Sequence, residues 1–104
     1  MTYELRTYTA HEGKLDALLA RFRDHTDGLF TKHGMPSIGY WVPVDRDDTL
    51  VYVLKHDGDP KASWKAFQAD PDWIAAKAAS EVDGPLTSEI VSVFMDPTDF
   101  SALS

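Results

Sequence analysis

"LFTKHGMPSIGYWVPVDRDDTLVYVLKH" (29–56) carries the end of a helix, a stop and two consecutive strands. His33 falls in the last helical turn. Gly34 stands where a left-handed C-cap residue belongs, and Pro36 bars any continuation. "SIGYWV" (37–42) then reads as a strand closed by Pro43, and "TLVYVLKH" (49–56) as the next one. The acidic "DRDD" between them makes a hairpin whose loop is too long for a tight two-residue turn.

Working outward, the chain before this stretch opens on "YELRTYT" (3–9). Tyr3, Leu5 and Thr7 share one face of this strand, and Glu4, Arg6 and Tyr8 the other. "HEG" turns the chain, and from Lys14 the apolar residues Leu15, Leu18, Leu19, Phe22, Leu29 and Phe30 follow a helical period. Gly28 weakens this helix by about 1 kcal/mol relative to alanine without ending it. After the hairpin, Asp59-Pro60 and Asp70-Pro71 repeat one device, an N-cap residue followed by proline at the first helical position. The second helical region is therefore expected to break near residue 70 and to run to about Val82. "LTSEIVSVFM" (86–95) is the last strand. The order β-α-β-β-α-β is the split βαβ of ferredoxin-like folds. It predicts one α+β domain over residues 1–104, with a four-stranded antiparallel sheet and two helices on one face.

Bulk properties narrow the function. Ten Lys and Arg against seventeen Asp and Glu give a net charge of −7, which disfavours nucleic acid and anionic membrane partners. The absence of cysteine removes disulfides, thiol catalysis and Cys-type metal sites. No apolar run approaches the ~18 residues of a membrane span, and the N-terminus lacks the pattern of a secretory signal, so a cytoplasmic protein is expected.

Two helices cover one face of such a sheet and leave the other bare. Trp41, Val51, Val53, Val91, Val93 and Met95 alternate with the residues facing the helices, so both faces carry large apolar side chains. A monomer would expose a patch larger than soluble monomers tolerate, and a homodimer packed sheet on sheet is expected.

"YELRTYT", "KHG" after a first helix, "GYW" opening the second strand and "ADPDW" in the second helical region resemble the NIPSNAP family. Each motif is weak alone, but the four stand in the right order from about Tyr3 to Asp96. The resemblance implies the dimeric α+β barrel, whose ligands lie between helices and sheet. It marks Glu4, Leu5, Arg6, Tyr8, His33, Gly39, Tyr40, Trp41 and Trp73. Where members often carry a tryptophan late in the third strand this chain has Leu54, and two residues later it has His56 in place of an aromatic. The family supplies no reaction. Related branches include cofactor-independent monooxygenases, haem-degrading enzymes and stress-response proteins, and a non-catalytic interaction role is the alternative to any of them.

Among candidate chemical groups, His33 has two readings: a cap that meets the helix dipole, or an acid/base in a pocket. His11 reads as a loop residue and His25 as a surface or satisfied core residue. His25 and His33 lie about 12 Å apart along the helix, too far to share a metal, so no metal site is expected. No G-x-S-x-G elbow or glycine-rich phosphate loop is present. Tyr8, Tyr40, Trp41, Tyr52 and Trp73 are the candidate wall of a cavity for a small aromatic or apolar molecule, bound without organic cofactor or metal. Arg6, in an interior strand, needs an ion-pair partner, with Glu4 or Glu89 in reach. Its alternative role is to hold an anionic ligand.

Overall fold

The computed structural model describes residues 1–103. Strand β1 (Thr2–Ala10) leads into a helical run in three parts: α1 (Leu15–Arg21), a π-helical turn (Phe22–Thr26) and α2 (Asp27–Lys32). Then come β2 (Ser37–Trp41), β3 (Thr49–His56), α3 (Pro60–Ala69), α4 (Pro71–Ser80) and β4 (Thr87–Met95). The strands stand in the order β2-β3-β1-β4 with every neighbouring pair antiparallel, the ferredoxin-like arrangement.

The terminating devices act where the sequence places them. Gly34 takes a φ of 76° after α2, and the amide of Met35 bonds back to the Phe30 carbonyl at 2.9 Å, closing the helix end. Asp70 separates α3 from α4, and its Oδ1 accepts the Asp72 amide at 2.8 Å as an N-cap should. Asp59 occupies the equivalent place before Pro60, but its side chain makes no capping bond. The break in the first helix comes earlier than Gly28. At the π turn the amide of Asp27 bonds to the Phe22 carbonyl, and the Thr26 hydroxyl donates to the Arg21 carbonyl at 3.3 Å.

Strand alternation sorts the sheet cleanly. Tyr8, Leu50, Tyr52 and Leu54 are buried beneath the helices, packed with Leu18, Phe22, Phe30 and Phe67. The opposite face carries rows that cross three strands: Val53, Leu5 and Val93 are register partners, as are Val51, Thr7 and Val91. Trp41, paired with Val51, extends the second row and is 53% exposed. The helices leave β4 only partly covered: its inward residues Ile90 and Phe94 stay about half exposed. A cleft is left open beside that strand.

Candidate functional site

Glu4 is the deepest charge in the molecule, at 1% exposure. Its Oε1 accepts from His56 Nε2 at 2.7 Å and from Trp64 Nε1 at 2.8 Å. Its Oε2 accepts from Arg6 Nη1 at 2.8 Å and from the Ser92 hydroxyl at 2.5 Å. A carboxylate has about four lone-pair sites, and all are taken. Burial alone would raise the Glu4 carboxyl, but these bonds more than offset it and hold the group below its usual range. Glu4 is thus an anchor for its neighbours, with no capacity left to act as a base.

What it anchors is Arg6. The guanidinium stacks on the Trp64 ring with 4.2 Å to the centroid, while Nε donates to the Tyr52 hydroxyl at 2.7 Å and Nη2 to the Tyr8 hydroxyl at 3.0 Å. Burial works against its charge, yet the Tyr8 and Tyr52 oxygens and Glu4 raise its pKa above even the ordinary arginine value. Burial pushes the Tyr52 phenol well above its usual value too, so it stays protonated and donates to Tyr8 at 2.9 Å. The ion pair expected for Arg6 is with Glu4. Glu89 pairs in register with Thr9 near the end of β1 and is exposed.

Above Arg6 and Tyr8 lies a cleft of about 610 Å³ between sheet and helices. Trp64 and Phe67 of α3 and Trp73 of α4 line it, with Ile90 of β4 at its margin. The π turn and its preceding residue present Arg21, Phe22 and Thr26 to the same space. Arg21 is buried against the Trp73 ring at 5.1 Å and bonds to Glu81 Oε2 at 3.2 Å.

The expected site residues therefore part company. Arg6, Tyr8 and Trp73 border the cleft, and Tyr52 lies beneath it, bonded to both Arg6 and Tyr8. Tyr40 packs on Tyr52 at 5.4 Å, but its hydroxyl donates to Asp27 Oδ1 at 2.9 Å, on the far side of Phe22. Trp41 is on the other face of the sheet, because adjacent strand residues point oppositely. It cannot share a wall with Tyr40. His33 does not border the cleft: its Nε2 donates to Asp70 Oδ2 at 2.7 Å, joining the end of α2 to the cap of α4. His25 and His11 are exposed. The sequence assigns no role to Arg21 or Ser92, and it marks His56 only as a departure from the family pattern. A period-2 count along β3 does place His56 on the helix face with Tyr52 and Leu54.

The fold and this site define a small ferredoxin-like α+β domain with a buried ion pair under an aromatic cleft. The NIPSNAP family model matches residues 3–102, and the chain belongs to that family. A NIPSNAP family protein with unknown function from Agrobacterium tumefaciens is 24% identical, with a TM-score of 0.83 over 100% of this chain and 94% of that one. A NIPSNAP domain protein from Burkholderia xenovorans is 26% identical, with a TM-score of 0.79 over 97% and 98%. A putative antibiotic biosynthesis monooxygenase from Chloroflexus aurantiacus shares the fold at 20% identity, with a TM-score of 0.69 over the whole of both chains. No curated protein matches significantly.

Proposed function

We propose that this protein binds a small planar aromatic molecule in the cleft between sheet and helices. One observation carries the reading: the space over Arg6 stays open although Trp64, Phe67 and Trp73 surround it. A pocket lined by rings with a few polar groups at one end is the usual form of a small-molecule site.

The second part of the proposal is a homodimer through the open sheet face. It is supported by the apolar rows on that face, Val53-Leu5-Val93 and Trp41-Val51. Among the described residues no helix is long and apolar enough to cross a membrane.

A thermal-shift screen against phenols, quinols, fatty acids, haem and small carboxylates tests the ligand reading. At ~100 times its dissociation constant a ligand stabilises the fold by about 2.7 kcal/mol, a rise of about 10 °C for a domain of this size. A hit is expected among the planar aromatics. Silence across the panel moves the assignment to a non-catalytic interaction protein. The fold shared with the Chloroflexus protein motivates a second reading, a cofactor-independent monooxygenase, and oxygen uptake measured with each hit decides it.

A further inference from the structure

The hydroxyl protons around Arg6 do not balance, and the imbalance points into the cleft. Tyr52 accepts from Arg6 Nε and donates to Tyr8. Tyr8 accepts twice, from Tyr52 and from Arg6 Nη2, and its own O–H has no acceptor among the described residues. Reversing the Tyr8–Tyr52 bond only moves the stranded proton to Tyr52, which is 0% exposed and does not border the cleft. Leaving a buried donor unpaired is costly, so the free O–H belongs on Tyr8, the member of the pair that meets the open space. Arg21, in the same cleft wall, has a buried Nε–H that also lacks an acceptor among the described residues.

Charge agrees with the donor count. The chain as a whole is at −7, yet the cleft is lined by Arg6, Arg21 and Lys77 against Glu81 alone, with Glu4 buried beneath. Donors and cations face the cavity, and the acceptors are consumed elsewhere: Glu4 is saturated, and Glu81 takes Arg21 and Lys77.

We propose that Tyr8 O–H and Arg6 hold the oxyanion of a planar aromatic ligand, a carboxylate or phenolate, with its ring among Trp64, Phe67 and Trp73. This rests on the cleft being a ligand site and adds the chemical class and the residue that reads it. An oxyanion supplies the acceptor that Tyr8 lacks, and charge-assisted bonds of this kind are about twice as strong as neutral ones.

Titration of the full-length protein with 2-naphthoate, 2-naphthol and the isosteric apolar 2-methylnaphthalene, read by tryptophan fluorescence, tests it. The wild type is expected to prefer at least one oxygen-bearing probe to 2-methylnaphthalene by about tenfold or more. Tyr8→Phe should erase that preference and leave the 2-methylnaphthalene affinity unchanged. Which oxygen-bearing probe is favoured tells carboxylate from phenolate. Equal affinity for all three probes in both proteins overturns the oxyanion assignment while leaving the aromatic cleft standing. No binding by any probe overturns both. Should Tyr8→Phe fold poorly, the ionisation of 2-naphthol in the wild type decides: bound naphthol should show its naphtholate emission at lower pH than free naphthol, and an unshifted titration overturns the assignment.

Discussion

His56 and Glu4 meet at 2.7 Å in a place where their side chains are 0% and 1% exposed. The carboxylate accepts only, so Nε2 carries the donated proton, and His56 Nδ1 is left buried without a partner among the described residues. The buried carboxylate owes its stability to its four hydrogen bonds. Removing one member leaves the others charged or polar and dry.

Glu4→Ala therefore strands Arg6, His56, Trp64 and Ser92 together. The expected loss is about 3–5 kcal/mol, read as a fall in the midpoint of urea unfolding with little change in slope. A loss below ~1 kcal/mol would show that water reaches the network and that Glu4 is not its anchor.

The same residue makes the fold acid-labile. In the native state Glu4 is held below its ordinary value, the bonds from Ser92, Trp64, Arg6 and His56 outweighing the effect of burial. Asp70 is depressed as well, by Lys32 and His33 and by the Asp72 amide. The unfolded chain thus binds more protons than the native one below the unfolded carboxylate values, ~4. Stability is fully present above that pH and is lost as pH falls through the native values. The urea midpoint should drop between about pH 6 and about pH 3, and the drop should be smaller in Glu4→Gln. An equal drop in that variant would assign the acid sensitivity to Asp70 and its neighbours.

His33 offers a direct comparison of cap and catalyst. Its ring joins α2 to Asp70 and does not reach the cleft. His33→Ala should cost about 1.5–3 kcal/mol of stability, the worth of one hydrogen bond to a carboxylate, and should leave the binding of any cleft ligand unchanged. A variant as stable as the wild type that no longer binds would return His33 to the site.

What could be read from the sequence was what is locally encoded. Gly34, Pro36 and the two Asp-Pro pairs act within a turn of where they stand, so the helix ends and the break at Asp70 were visible. The donor network was not, because Glu4 gathers partners from positions 6, 56, 64 and 92. Only strand register and the seating of α3 bring those together. The π turn was also hidden. Gly28 is the residue that looks like a weak point, but the ladder shifts at Phe22–Thr26, where Thr26 buries its hydroxyl on the Arg21 carbonyl. Aromatic character puts Trp41 on the cavity wall, whereas alternation with Tyr40 puts it on the far face. Where aromatic character and period-2 geometry disagreed, geometry prevailed.

That far face supplies the last expectation. Leu5 has Val53 on one side and Val93 on the other, and the row is half-open to solvent in a single chain. Packing a second copy of this surface against it would bury all three valine and leucine side chains, at ~25 cal/mol for each Å² of apolar area removed from water. Leu5→Glu would put a charge at the centre of such an interface and, in a dimer, bring it toward its own symmetry mate. It should shift the species in sedimentation velocity from about twice 11.6 kDa to 11.6 kDa at low micromolar concentration. The helix-side network does not involve Leu5, so far-UV circular dichroism should be retained. A wild-type chain that already sediments at the monomer mass would remove the dimer, and the open face would then have to be explained as a surface for some other partner.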